Sequence, residues 1–408
     1  MKHLTIIITL AIALALTVLP GCQRHSSRPD FGMNEAIDNI FTPLFGEDEP
    51  GAAVMVFYHD TLVYSGFFGM ANLETNEKMS DSVMLNIAAA SKTFISIAMM
   101  KLQEEGRLKL TDSLSEFFPE FRSPVYKGIT IEHILSHTSG LPDQRPRSQE
   151  EWEEYRTTHN SAFGFGYDFR RFARGSELTR FFETIDTLNS VPGSHFEYAD
   201  APYLLLPQIV EKVTGKRFEA WMKDNVFEKA GISHVVYFSP DIVIPQMAHA
   251  YDTPQPDTKQ DKVYNTSKAQ WVEADYGEVD YFASLSDMGI YITPRDYAKW
   301  VQSVYDYKVI SKESLEDVIT PRIATTLPDV SYGLGTFLTD NPYEPRKAFH
   351  SRRNGGFSTY SAVFPDQDLF YMVLANRGFW DRIKVAEKMD SIIFNNPRFP
   401  DLNVLVKR

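Results

Sequence analysis

Hydrophobic and polar residues alternate in strand fashion over residues 51–71. Ala53-Val54-Met55-Val56-Phe57-Tyr58 and Leu62-Val63-Tyr64 flank His59-Asp60-Thr61, a pattern that predicts a β-hairpin. The period then lengthens. Phe94, Ile97, Ala98, Lys101 and Leu102 fall at steps of three and four, which predicts a helix beginning near Ala89 and closing at Gly106. Over residues 112–320, several helical stretches are joined by long polar loops. Residues 204–213 form one of these, closed by Thr214-Gly215, and Pro207 inside it is expected to bend or break it. Strand character returns at 356–363 and 369–374, with Pro365-Asp366-Gln367 near the turn, and 385–395 reads as a final helix. Strands and a helix therefore lie at both ends of the chain and helices between. The expected class is α/β (α+β): a mostly antiparallel sheet flanked by helices, built from about 35–111 and 321–398, with an all-helical subdomain of about 112–320 inserted.

The start of the chain departs from this pattern. Met1-Lys2-His3 precedes an almost unbroken apolar run over 4–19, and Leu19-Pro20-Gly21-Cys22 follows. The run is short for a spanning helix and carries signal-peptide flanks. Residues 1–21 are therefore read as a lipoprotein signal peptide, Cys22 as the lipid attachment site, 22–34 as a polar tether and 399–408 as a tail. The domain itself is placed at 35–398. Cys22 is the only cysteine, which excludes an intrachain disulfide and any site built from several thiols. The expected location is the bacterial cell envelope, on an extracytoplasmic side, held to the membrane through lipid on Cys22. Composition is ordinary for a globular chain of 408 residues, 43% hydrophobic and 23% charged. The net charge of −13, with no basic stripe, excludes a nucleic-acid partner that tracks phosphates.

Several segments carry chemistry. Asn86-Ile87-Ala88-Ala89-Ala90-Ser91-Lys92-Thr93-Phe94 comes first, then Ile129-Thr130-Ile131-Glu132-His133-Ile134-Leu135-Ser136-His137-Thr138-Ser139-Gly140-Leu141-Pro142. Pro192-Gly193, Phe196-Glu197-Tyr198, Tyr203-Leu204-Leu205, Tyr332-Gly333-Leu334-Gly335 and Leu374-Ala375-Asn376-Arg377 follow. In this order they resemble the signatures of the serine β-lactamase/penicillin-binding-protein-like family, which includes class C β-lactamases, esterases and D-Ala-D-Ala peptidases. The resemblance runs from about residue 50 to 380. It implies a serine hydrolase fold in which S-x-x-K places nucleophile and lysine on one helix face. A tyrosine from the helical subdomain shares proton transfer, a K-T-G or H-x-G strand lines the cleft, and backbone N–H groups hold the oxyanion.

Measured against that pattern, each catalytic element has changed. Lys92 is present, but the nucleophile position is Ala89. Tyr198 is present, but Tyr198-Ala199-Asp200 replaces Y-x-N. His350-Ser351-Arg352 stands where H-x-G is expected, so a long cation replaces a glycine. A methyl group cannot form an acyl-enzyme. Ser91 lies two residues on, roughly 200° around a helix, and faces elsewhere. Lys92 is read either as a surviving base or as an ion partner, with Asp200 as the attractive counter-ion. Arg352 is read either as a solvated cation or as a group entering the old groove to meet Asp200 or a ligand carboxylate. His133 and His137 sit four apart but without the H-E-x-x-H glutamate, so neither a metal nor a cofactor is assigned. The run Glu150-Glu151-Trp152-Glu153-Glu154 reads as a solvated helix face. Two functions stay open. One is binding of a small-molecule, peptide or cell-wall-derived ligand without turnover. The other is a hydrolase of altered chemistry using Lys92, Tyr198 and His350.

Overall fold

A computed structural model describes residues 32–143, 179, 182–238, 242–254, 263–274, 288–339, 341–342, 344–399 and 402. The signal segment 1–21, Cys22, most of the tether, the acidic run at 150–154 and most of the 399–408 tail lie outside the described residues. In chain order, α1 (Asn34–Phe41), β1 (Ala52–Tyr58), β2 (Thr61–Phe68) and α2 (Lys92–Glu104) come first. Then follow α3 (Leu205–Thr214), α4 (Pro294–Tyr305) and α5 (Lys312–Val318). β3 (Ile323–Ala324), β4 (Val330–Tyr332), β5 (Phe337–Thr339), β6 (Ala348–Asn354), β7 (Phe357–Phe364), β8 (Leu369–Ala375) and α6 (Arg382–Phe394) complete the fold.

These eight strands form one antiparallel sheet in the order β3-β4-β5-β6-β7-β8-β1-β2. The two ends of the chain meet in its middle, where β1 pairs with β8 from Ala52↔Ala375 to Tyr58↔Leu369. Both faces of β1 are covered. Ala53, Met55 and Phe57 join the core shared with α2 and the inserted segment, and Ala52, Val54 and Val56 join the core under α1 and α6. Each fully buried valine there contributes roughly 1.5–3 kcal/mol. Two-sided burial is why β1 reads as a continuous apolar run. Among the described residues, no helix is long and apolar enough to cross a membrane.

Two expectations are corrected. The insert is not all-helical. Leu85–Asn86, Ile290–Ile292 and Val235–Tyr237 form one three-stranded sheet, and Tyr251–Asp252, Gln270–Glu273 and Val263–Asn265 form another. Segments of two to four residues are too short for a period of two to register, although their β-branched and aromatic residues favour strands. Second, Pro207 does not break α3. It is the third residue of the helix, in the first turn, where a missing N–H costs least. β6, which carries Ser351, Arg352 and Arg353, is the strand that the resemblance implies at the H-x-G position. Its seven-residue ladder with β7 imposes the extended form on a polar sequence.

The helix predicted from Ala89 starts as a 3-10 turn, Ala88–Ser91, and becomes α-helical at Lys92. Its seat against β5 depends on Gly335, whose φ is +85°. A Cβ there would lie 2.1 Å from Ser96 Oγ and 3.2 Å from the Lys92 carbonyl oxygen. Gly335→Ala is expected to destabilise the protein by about 1–3 kcal/mol. A lower urea midpoint with an unchanged slope checks it.

Candidate active site

The site is assembled where the strand ladder runs out. β5 pairs with β6 only at Phe337↔Phe349 and Leu338↔Ala348, so among the described strands none covers that edge of β6 from His350 onward. There β6 packs instead along the Ala88–Ser91 turn. All four residues of that turn are buried. Ala88 has φ 49°, a left-handed conformation that is costly for a residue with a Cβ. Asn86 holds it: Oδ1 accepts the Ala88 N–H at 2.8 Å, and Nδ2 donates to the Met288 carbonyl at 2.8 Å. The turn carries the methyl of Ala89, 2% exposed, at the position read from the sequence as that of the nucleophile.

Lys92 sits one helical turn on and is fully buried. Its Nζ donates to Asp200 Oδ1 at 2.6 Å. The ammonium also lies 5.0 Å from the centre of the Tyr198 ring and 5.1 Å from that of Tyr203. The ion-partner reading of Lys92 is therefore realised. Asp200 comes from the inserted segment, just before the 3-10 turn Ala201–Leu204. The backbone N–H groups of Asp200 and Ala201 donate to the two carboxylate oxygens of Asp143, each at 3.2 Å. The other Asp200 oxygen faces Arg352, 3.9 Å from Nη2. The Arg352 guanidinium lies over the Tyr198 ring, 4.4 Å from its centre, and its side chain is 46% exposed. Of its two readings, entry into the groove is the one observed.

Tyr198 is walled in. Its ring lies 4.1 Å from the His137 ring and stacks on Phe337 at 6.0 Å with an interplanar angle of 5°. Burial pushes its phenol above the usual tyrosine range, against the pull of Lys92. His137 accepts the Ala199 N–H on Nδ1 at 3.2 Å, and burial, with Lys92 beside it, holds the imidazole well below its usual pKa. His133 Nδ1 accepts the Thr130 N–H in a capping box, so both histidines of the spaced pair bond to backbone. Ser91 is fully buried, its Oγ has no hydrogen-bond partner among the described residues, and it is closed to a substrate.

Five of the six sequence-derived positions thus converge: Ala89, Lys92, Tyr198, Asp200 and Arg352. His350 shares β6 with Arg352, is buried close enough to Lys92 to feel its charge, and also lines a small cavity with Thr93 and Ile97. Two contributors were not singled out from sequence. Asp143 directly follows the Leu141-Pro142 end of the turn motif, so its place was open to notice. Phe337 carried no signal beyond hydrophobicity.

Comparison with known proteins agrees with this geometry. The family model described as "Beta-lactamase" matches residues 37–392. Penicillin-binding protein 4* of Bacillus subtilis is 24% identical over 347 residues, covering 84% of this chain and 71% of that protein. Protein flp of Staphylococcus aureus strain MW2 is 25% identical over 359 residues, covering 86% of this chain and 64% of its own length. Among solved structures, the octameric penicillin-binding protein homologue from Pyrococcus abyssi superposes with a TM-score of 0.71 at 22% identity, covering 89% of this chain and 78% of that one. EstCE1, described as a hydrolase with promiscuous acyltransferase activity, gives 0.67 at 18% identity, covering 88% of this chain and 97% of that one.

Proposed function

This chain belongs to the Beta-lactamase family, and we propose that it is a lipid-anchored, extracytoplasmic member that binds a peptide, cell-wall fragment or small ligand without forming an acyl-enzyme. One observation carries the reading: the lysine three residues after Ala89, a position without a hydroxyl, donates to a carboxylate at 2.6 Å. A general base needs a free lone pair, and an ammonium donating to Asp200 has none to offer. Tyr198, with its phenol pushed up by burial and roofed by Arg352, is a poor substitute base. These features favour binding over the altered-hydrolase reading. Arg352 supplies a half-exposed guanidinium suited to a ligand carboxylate. Lipid on Cys22 would hold the domain at a membrane surface.

The test is labelling with a fluorescent penicillin. The native protein is expected to show no adduct by intact mass. Ala89→Ser alone is expected to label poorly, because Lys92 stays paired with Asp200. The triple variant Ala89→Ser, Asp200→Asn, Arg352→Gly is expected to label at least about tenfold faster, equivalent to about 1.4 kcal/mol of barrier. An adduct on any native side chain of the unaltered protein sinks the proposal.

A further inference from the structure

At the other end of β7 from the cleft, the structure holds a surface cavity of about 680 Å³, within the roughly 300–1,000 Å³ typical of small-molecule sites. The strand register separates the two places. Arg352 of the cleft pairs with Thr359, whereas the cavity is lined by Phe364, five residues further along β7, or about 17 Å away. The cavity floor is apolar. Phe57 of β1 and Phe370 of β8 stack there with ring centres 5.9 Å apart, and Val301 of α4, Leu315 of α5 and Val363 of β7 extend it.

The rim is charged, and its charges do not balance: five carboxylates and three cations line the cavity. Arg346 is bonded to Glu316 at 2.8 Å and to Asp366 at 3.0 Å, and Lys312 adds its charge near Glu316. Lys308 is bonded to Asp306 at 2.7 Å. Asp368 Oδ2 lies 2.9 Å from His59 Nδ1. Asp60 is left. Among the described residues its carboxylate forms no ion pair and accepts one bond, from the side-chain amide of Gln302 at 3.3 Å. Burial and the nearby charges of Asp306 and Asp368 raise its carboxyl above the usual range, with Lys308 pulling the other way. Asp60 thus lines an apolar hollow beside two like charges and short of a cation. A metal ion does not suit the place, since among the described residues no group of three acidic or histidine side chains could hold one.

We propose that this cavity is a second ligand site, taking a small organic ammonium whose apolar body lies on the Phe57–Phe370 floor and whose charged nitrogen meets Asp60. The floor binds the body by burial. The ammonium supplies the charge-assisted bond that the Asp60 carboxylate lacks. An anionic ligand with the same body would meet Asp60 and Asp368 as repulsion. The proposal makes no use of the cleft and stands whether or not the cleft is catalytic.

2-Phenylethylammonium and 3-phenylpropanoate have similar bodies and opposite charges, and both are titrated into the full chain by calorimetry. The ammonium is expected to bind saturably and at least about tenfold more tightly than the carboxylate. Asp60 has φ 56°, a left-handed conformation that asparagine also tolerates, so Asp60→Asn is expected to keep the melting temperature and weaken the ammonium about tenfold. Lys308→Ala removes the competing cation and is expected to tighten binding roughly threefold, a change of opposite sign that a merely structural role would not produce. Arg352→Ala, in the cleft, is expected to leave the affinity unchanged. Absence of saturable ammonium binding, equal affinity for the two probes, no response to either rim variant, or loss of binding in Arg352→Ala would each overturn the assignment.

Discussion

Asp200→Ala is expected to cost about 3–5 kcal/mol of stability, a large share of what a domain has in reserve. The reason is the asymmetry of buried pairs. Lys92 has no exposed side-chain surface, and removing Asp200 takes away the carboxylate bonded to its buried ammonium at 2.6 Å. Arg352 offers no compensation, because it is also a cation. Removing the charge from the other side is a different change. Lys92→Met keeps the volume, exposes no orphan charge and leaves Asp200 with Arg352 at 3.9 Å, so it is expected to be close to neutral. The double variant Lys92→Met, Asp200→Ala should recover most of the loss. Chemical denaturation of the four proteins closes a double-mutant cycle that isolates the pair. Equal losses for both single variants would contradict this account.

Acidification supplies the second large effect. His350 is pushed down to about 3 by burial first and by Lys92 second, against an unfolded value of about 6.5. His137 is displaced in the same direction for the same two reasons. The unfolded chain therefore takes up protons below pH 6.5 that the folded protein refuses. Both contributions are fully present above pH 6.5 and are lost as pH falls toward the folded values. Each histidine removes up to about 1.4 kcal/mol per pH unit in that window. His350 alone predicts a loss of about 1.7 kcal/mol between pH 6.5 and 5, and His137 adds to it in the same direction. Asp296, lowered to about 2 despite its burial by bonds from Lys299 and from the backbone of His234 and Ser233, adds its own loss only below pH 3.8. Thermal melts from pH 7 to 5 test the slope, and His350→Gln should make it about half as steep. A melting temperature flat across that range would contradict the predicted burial of both imidazoles.

Much of this was legible in the sequence because the residues that matter differ in chemical type from what their motif requires. A methyl at Ala89, a carboxylate at Asp200 and a guanidinium at Arg352 stand out in single letters. Opposite charges two residues after the tyrosine and two after the histidine already implied a meeting. Backbone conformation was not legible in this way. Nothing in an alanine predicts the φ of 49° at Ala88, which Asn86 and the packing of β6 impose from outside. The strand β6 was legible only through the H-x-G resemblance and not from its pattern, since its polar run acquires its conformation from β7. His350 and Arg352 were both read from the H-x-G position of the resemblance, and alternation along the strand keeps the two on one face, with His350 near the Lys92 charge and Arg352 over Tyr198.

The bond from Lys92 to Asp200 spans 108 residues and joins a helix rooted in the sheet to a turn in the insert. It acts as a bolt across the groove. Parting the two walls would strand a bare cation in oil-like surroundings, so neither wall can fray by itself. Amide exchange in Ala201–Leu204 and in the first turn of α2 should then slow and quicken in step, as a single cooperative unit. A guest in the groove would meet a rigid, preshaped slot in place of a closing jaw.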